Sequence, residues 1–126
     1  MKKFEIEITT KLTVTAQDID DIMVAALEGG INYWCREADV VGDYLGEFAS
    51  DQISRGGKLL LYDAEEDDVY ELTLEKFLHG IEKACEDRWF AEYDWCDGKT
   101  IDACQVDADV ADAIVQLALF DDVIFG

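Results

Sequence analysis

Residues 58–86, KLLLYDAEEDDVYELTLEKFLHGIEKACE, carry the pattern that decides the fold class. Lys58 to Asp63 and Val69 to Leu72 are two short runs of bulky apolar residues, as is typical of strands. Residues 64–68 separate them, and four of these five residues are acidic. This spacing predicts an antiparallel β-hairpin with an acidic tip.

The hairpin is followed at once by a predicted helix. Thr73 is a favourable N-cap residue, and the helix is expected to run from Leu74 to about Glu86. Apolar residues recur along it at helical spacing, which predicts one buried side. These residues are Phe77, Leu78, Ile81 and Cys85.

The N-terminal part of the chain predicts a strand followed by a helix. Between residues 4 and 14, apolar residues alternate with Glu or Thr, which is the period of a half-buried strand. Thr15 and Asp18 have the spacing of a capping box, so a helix is expected to begin just after Thr15. Gly29 and Gly30 are expected to end that helix.

Two segments between the first helix and the hairpin are less regular. Residues 31–35, INYWC, are bulky and β-prone and predict a short buried strand. Residues 43–55 keep a helical spacing of apolar residues, with Leu45 and Phe48 on the apolar side. A helical segment that ends at the Gly56-Gly57 turn is therefore expected there.

The C-terminal part predicts a last helix from about Asp107 to Leu119. Its inward residues are expected to be Val110, Ile114, Leu117 and Ala118. Three carboxylates stand at its start, where they complement the helix dipole: Asp107, Asp109 and Asp112. Residues 123–125 are expected to add a short edge strand.

Together these elements predict a single α+β domain over residues 1–126. The expected architecture is an antiparallel sheet with about three helices packed on one face. The chain has 126 residues, of which 50% are hydrophobic, so it can bury one core. No linker, repeat or low-complexity tract divides it.

The composition is strongly acidic, with 30 acidic against 10 basic side chains and a formal net charge of −20. Such a field repels DNA, RNA and anionic lipid, so direct binding of nucleic acid through a basic surface is not expected. The sequence contains neither a signal-peptide pattern nor a run of about 18 apolar residues. We therefore expect no membrane association and a cytoplasmic location.

The sequence offers little for catalysis or metal binding. It has no phosphate-binding loop, dinucleotide-binding or nucleophile-elbow motif, and its single histidine, His79, is expected to be exposed. The four cysteines lack the spacing of a zinc or iron–sulfur site and are expected to be reduced thiols. They are Cys35, Cys85, Cys96 and Cys104. We expect no catalytic residue, no metal site and no cofactor.

The acidic excess lies mainly in the second half of the chain. Residues 58–126 carry 19 acidic and 5 basic side chains, against 11 and 5 in residues 1–57. A much smaller charge keeps a small domain soluble, and self-repulsion destabilises the compact state. The charge therefore predicts an electropositive partner, such as a protein that handles nucleic acid, with carboxylates in place of phosphates. The alternative is that the charge only maintains solubility.

Residues 88–98, RWFAEYDWCDG, combine four large aromatic side chains with carboxylates. Tryptophan and tyrosine are common anchors of protein interfaces. Alternatively, Trp89 and Phe90 complete the core and leave only Tyr93 or Trp95 exposed. The candidate partner-binding residues are Glu65, Glu66, Asp67 and Asp68 at the hairpin tip, with Glu92, Tyr93, Asp94, Trp95 and Asp97.

Three stretches of the chain form a recognisable set. They are LEGGINYWC at 27–35, SRGGKL at 54–59 with YELT at 70–73, and DAIVQLALF at 112–120 with VIFG at 123–126. Together they resemble a family of small proteins encoded by phages and prophages of Gram-positive anaerobes. The resemblance covers most of the chain and implies a phage accessory protein acting in a bacterial cytoplasm, with no catalytic residues. Small, very acidic phage proteins include inhibitors of restriction enzymes and of CRISPR effectors, several of which mimic DNA.

The sequence thus favours a non-enzymatic phage protein that binds and blocks a basic, nucleic-acid-handling host protein. A second interpretation is a self-associating scaffold protein, a homo-oligomer whose charge only prevents aggregation. A third is a small-ligand sponge around Tyr33, Trp34 and Cys35. For an anionic ligand, that sponge would need four basic residues to converge, namely Arg36, Arg55, Lys58 and Arg88.

Overall fold

The structure is a computed structural model that describes residues 2–6, 11–86, 95–96 and 100–126. These described residues form three helices and a three-stranded antiparallel sheet, which confirms the α+β fold. The helices are α1 (Ala16–Ala25), α2 (Leu74–Glu86) and α3 (Ala108–Phe120). The strands are β1 (Cys35–Val40), β2 (Leu59–Asp63) and β3 (Val69–Leu72). Short helical turns lie at Ala26–Gly30, Ala49–Asp51 and Ala103–Gln105.

The strands are ordered β1-β2-β3, and both neighbouring pairs are antiparallel. The predicted hairpin is confirmed, with Leu59 opposite Leu72. Leu59 and Leu61 are fully buried, whereas Tyr62 is half-buried. Because successive side chains of a strand point to opposite faces, the sheet buries one face in the core.

Helices α2 and α3 pack directly against each other. The predicted bounds of α2 are confirmed, and α3 begins and ends one residue later than predicted. Thr73 and Asp107 cap the two helices by accepting backbone N–H groups. Gly80 permits the close approach of the helices, because a Cβ atom at this position would collide with the backbone oxygen of Ile114.

The predicted buried side of α2 is right except at one residue. Phe77 and Ile81 are fully buried and Cys85 is half-buried, but Leu78 is exposed. Leu78 follows Phe77 directly, so it lies about 100° further around the helix axis, at the edge of the buried face.

Helix α1 begins with the predicted capping box. The backbone N–H of Asp18 donates to Thr15 Oγ1 at 3.1 Å, and the N–H of Thr15 donates to Asp18 Oδ2 at 3.0 Å. The helical turn Ala26–Gly30 ends at the predicted glycine pair. Gly30 lies so close to α3 that a Cβ atom there would be 2.6 Å from the carbonyl oxygen of Ala108.

The strand predicted at residues 4–14 is wrong for the part of this segment that the structure describes. Residues 2–6 and 11–12 have no regular secondary structure, and Thr13 forms only an isolated bridge with Thr100. Residues 7–10 lie outside the described residues. β2 has no free edge for such a strand, because β1 and β3 occupy its two sides.

The strand predicted at residues 31–35 is displaced along the chain. Ile31, Trp34 and Cys35 are buried as expected, but residues 32–34 form a turn and the strand starts at Cys35. Pairing with β2 therefore selects Cys35–Val40, although this segment contains three charged residues.

Two further predicted elements are wrong. Residues 43–55 contain only the helical turn Ala49–Asp51. Residues 123–125 are not a strand, because the Gln116 side chain, and not a neighbouring strand, accepts their backbone hydrogen bonds. The backbone N–H groups of Ile124 and Phe125 both donate to Gln116 Oε1 at 2.8 Å.

The prediction of four reduced thiols is wrong for one pair. Cys85, in the last turn of α2, forms a disulfide with Cys96, and their Cα atoms are 6.1 Å apart. Cys35 is a buried free thiol and Cys104 is an exposed one. The paired cysteines are 11 residues apart and match no short motif, so the fold brings them together.

Candidate functional site

The acidic hairpin tip, residues 64–68, joins β2 to β3, and hydrogen bonds to Asp63 support it. Asp63 Oδ1 accepts the backbone N–H groups of Glu65 and Glu66 at 2.9 and 3.0 Å. Its Oδ2 accepts the hydroxyl of Tyr70 at 2.8 Å. The backbone N–H of Asp63 donates to the carbonyl of Asp68 at 3.0 Å and closes the loop. The tip is therefore an ordered turn.

Asp63 belongs to the support of the tip and not to its surface. The amides of Glu66 and Glu65 and the Tyr70 hydroxyl hold the pKa of Asp63 below its usual value, so it stays ionised. Burial and the hydrogen bond to Asp63 raise the pKa of Tyr70 to about 12. Unlike the four acidic residues of the tip, Asp63 has a buried side chain.

The four predicted contact residues of the tip, Glu65, Glu66, Asp67 and Asp68, are all exposed. Among the described residues, no basic side chain forms an ion pair with any of them. Arg36, the basic residue of β1, forms other contacts. Its Nε donates to the carbonyl of Asp63 at 3.1 Å, and its guanidinium lies 5.3 Å from the centre of the Tyr62 ring.

An aromatic cluster connects the tip to the helices. The rings of Trp34, Tyr70, Phe120 and Phe125 contact one another, and Phe125 stacks on Trp34 with centroids 4.9 Å apart. The carbonyl of Trp34 also accepts the N–H of Ala64 at 2.7 Å, directly beside the tip. The backbone at both sides of the tip is thus attached to the core, through Ala64 and Tyr70.

A buried carboxylate on α3 fixes this cluster in turn. Asp112 accepts the Tyr33 hydroxyl at 2.6 Å, the Trp34 indole N–H at 2.7 Å and the Gln116 amide at 2.9 Å. Burial and the hydrogen bond to Asp112 raise the pKa of Tyr33 to about 12. The assignment of Asp112 to the helix dipole is therefore wrong, because it binds side chains about 80 residues away in sequence.

Of the second set of candidate residues, Glu92, Tyr93, Asp94, Trp95 and Asp97, the structure describes Trp95 alone. Trp95 is fully buried, so the prediction that it is an exposed anchor is wrong. It precedes Cys96, whose disulfide to α2 draws this part of the chain into the core. Glu92, Tyr93, Asp94 and Asp97 lie outside the described residues.

The residues of the small-ligand interpretation are not brought together. A cavity of about 290 Å³ is lined by Cys35 and Arg36, whereas Tyr33 and Trp34 bind Asp112 instead. The Cys35 thiol donates to the carbonyl of Glu37 at 3.2 Å, and burial raises its pKa.

The basic residues named for an anionic ligand are also separate. Arg55 lies 3.8 Å from Asp20 and Lys58 lies 3.6 Å from Glu71, while Arg36 sits over Tyr62. Arg88 lies outside the described residues.

His79 is exposed, as predicted, and its side chain reaches from α2 to the residue that follows α3. Its Nε2 is 2.7 Å from Asp121 Oδ1, and Lys83 is 3.6 Å from the same oxygen. The His79 hydrogen bond and the Lys83 charge hold the pKa of Asp121 below its usual value.

One exposed feature was missed in the sequence. Tyr44, Leu45 and Phe48, expected in part on the apolar side of a helix, are 61%, 50% and 60% exposed. The sequence feature that could have indicated a surface segment here is its charge, because residues 37–54 contain five acidic residues and no basic one.

Within the part of the chain that the structure describes, no group of three His, Cys, Asp or Glu side chains could hold a metal ion. None of the described helices is long and apolar enough to cross a membrane. Comparison with protein-family models, with curated proteins and with solved structures returned no match.

Proposed function

We propose that this chain is a phage-encoded accessory protein that binds and inhibits a basic, nucleic-acid-handling protein of its bacterial host. Glu65, Glu66, Asp67 and Asp68 occupy places in the partner's groove that nucleic-acid phosphates otherwise fill. Restriction enzymes and CRISPR effectors are examples of the proposed target. The protein acts without catalysis and in the host cytoplasm.

The observation that carries this proposal is the fixed acidic tip. Four exposed carboxylates stand on one ordered turn that is braced by Asp63 and by the aromatic cluster. An ordered turn loses little conformational entropy on binding, and unpaired carboxylates are free to meet cationic groups.

The phage context rests on the resemblance of residues 27–35, 54–59 and 112–126, described above, and on the charge of the chain. A net charge of −20 favours association with an electropositive surface and accelerates it at low ionic strength. The proposed contact is accordingly sensitive to salt, because the Debye length falls from about 10 Å at 0.1 M to about 3 Å at 1 M.

The test is capture from a nuclease-treated lysate of a Gram-positive anaerobe, at low and at high salt. We expect a basic nucleic-acid-binding protein to be retained at low salt and released at high salt. The variant Glu65→Lys/Glu66→Lys/Asp67→Lys/Asp68→Lys should lose it. The control Glu5→Lys/Glu28→Lys/Glu82→Lys/Glu86→Lys changes the net charge equally at exposed positions elsewhere and should retain it. Equal loss in both variants would reduce the effect to net charge and contradict the proposal.

A further inference from the structure

The loop of residues 41–48, between β1 and the turn Ala49–Asp51, exposes an unusual number of large apolar side chains. Tyr44, Leu45 and Phe48 are each at least half exposed, and Val41 is exposed beside them. Single exposed apolar residues are ordinary on a protein surface, but several in one short loop mark an interaction site.

This loop is held in its conformation by two polar side chains. Gln52, which is fully buried, accepts the N–H of Leu45 at 3.0 Å through Oε1 and donates to the carbonyl of Asp43 at 3.2 Å. Asp51 Oδ2 accepts the N–H groups of Glu47 and Phe48, both at 3.1 Å. The fold therefore presents the apolar side chains to solvent on a fixed backbone and does not fold them into the core.

The charge around the loop specifies the chemistry of its occupant. Asp43 and Glu47 are exposed within the loop, and residues 37–54 contain five acidic side chains and no basic one. A second copy of this chain would bring like charges together around the apolar contact, at a cost in binding free energy. A partner with cationic groups around an apolar pocket can pair with the carboxylates and bury the rings.

We propose that the loop of residues 41–48 is a preformed docking surface for such a cationic partner, with Tyr44 and Phe48 as the apolar anchors. This inference rests on the proposed function, since the partner is the same basic protein that the acidic tip contacts. The tip follows Asp63 at one end of β2, and the loop follows Val40, which pairs with Leu59 at the other end. The tip and the loop therefore extend from opposite ends of β2, whose five residues span about 13 Å at roughly 3.3 Å per residue, so the partner must reach along the whole sheet to contact both.

The two contacts have separable signatures. Carboxylates at the tip attract the partner through charge, so their replacement reduces the dependence of affinity on salt. Rings that enter an apolar pocket slow dissociation, and their contribution is not screened by salt. Variants in the loop should therefore weaken binding by a similar factor at low and at high salt.

The test uses two synthetic peptides of equal length and equal positive charge, one an amphipathic helix of Lys and Leu and the other of Lys and Ser. Calorimetry at two salt concentrations should show that the protein prefers the Lys–Leu peptide. Tyr44→Ser/Phe48→Ser should weaken binding of the Lys–Leu peptide by about tenfold or more and leave the Lys–Ser peptide unchanged. The matched control is Val24→Ser/Leu78→Ser, which removes two exposed apolar side chains on the helices and should keep the preference.

The outcomes separate this inference from the proposed function. If the loop variant keeps the full preference for the Lys–Leu peptide, the docking surface is refuted and the role of the tip is untouched. If the tip variant binds both peptides as tightly as the natural chain, the electrostatic proposal fails whatever the loop does. A homodimer that persists at high salt and dissociates in Tyr44→Ser/Phe48→Ser would assign the loop to a second copy and overturn the inference.

Discussion

The hydroxyl of Tyr70 donates to Asp63 Oδ2 at 2.8 Å across the base of the acidic hairpin. This contact links the turn that carries four exposed carboxylates to an aromatic ring packed on Trp34. The other Asp63 oxygen orders the first half of the tip through the amides of Glu65 and Glu66. One buried carboxylate thus connects the surface charge to the core.

Asp63→Asn should loosen the tip while the sheet persists. The amide is a weaker acceptor than a carboxylate, because hydrogen bonds to a charged group are the stronger ones. We expect faster hydrogen exchange at the backbone N–H groups of Glu65 and Glu66, measured by NMR. Asp67→Asn is the control, since Asp67 accepts no hydrogen bond from the described residues. Unchanged exchange in Asp63→Asn would show that the tip is ordered by other contacts.

The same pair of residues should make stability depend on pH at both extremes. The pKa of Asp63 is lowered in the folded state, so its contribution is present above the ordinary value of 3.8 and is lost as pH falls through the lowered pKa. The pKa of Tyr70 is raised to about 12, so its contribution is present below 10 and is lost as pH rises through about 12. Urea unfolding over this range should show both losses. The free energy of unfolding of Asp63→Asn should depend less on pH in acid than that of the natural chain, and that of Tyr70→Phe should depend less on pH in alkali.

Asp112→Ala should be the most destabilising single change in the aromatic support. It leaves the buried Trp34 indole N–H without its acceptor and removes one hydrogen bond each from Tyr33 and Gln116, which keep the carbonyl of Phe125 as a second acceptor. Leaving one buried donor unpaired costs about 1–3 kcal/mol, and a hydrogen bond to a charged group contributes about 1.5–3 kcal/mol, so we expect a loss of at least about 2 kcal/mol in the free energy of unfolding. Asp109→Ala, an exposed carboxylate on the same helix, should cost less than about 1 kcal/mol. Similar losses in the two variants would contradict a supporting role for Asp112.

The four cysteines should differ in their reaction with an alkylating reagent. Cys104 is exposed and should react in the folded protein, whereas buried Cys35, whose pKa is raised by burial, should react only after unfolding. Cys85 and Cys96 should react only after reduction. Mass spectrometry of the protein before and after unfolding and reduction gives the number of alkylated cysteines in each state. Four alkylated cysteines in unfolded but unreduced protein would refute the disulfide.

The elements that local sequence predicts well are those stabilised by local contacts. Helix α2 and the cap at Thr15 depend on side chains three or four residues apart, and the hairpin depends on two strands that are adjacent in sequence. The tip residues Glu65 to Asp68 could be named for the same reason, because a hairpin turn exposes its central residues.

Contacts between distant residues explain what could not be predicted. β1 is a strand because it pairs with β2 19 to 28 residues later, and Asp112 is buried because it meets Trp34 78 residues away. In residues 43–55, Asp51 and Gln52 bind backbone groups of the preceding loop, so the helical spacing of Leu45 and Phe48 does not produce a helix. No periodicity in the sequence records such side-chain-to-backbone bonds.

The most direct test of the central claim is competition with DNA for the host protein captured at low salt. Labelled DNA bound to the purified protein is titrated with the natural chain, with the tip variant and with the charge-matched control, and its anisotropy is followed. We predict that the natural chain and the control displace the DNA and that Glu65→Lys/Glu66→Lys/Asp67→Lys/Asp68→Lys does not. Displacement by the tip variant with unchanged potency would contradict the account.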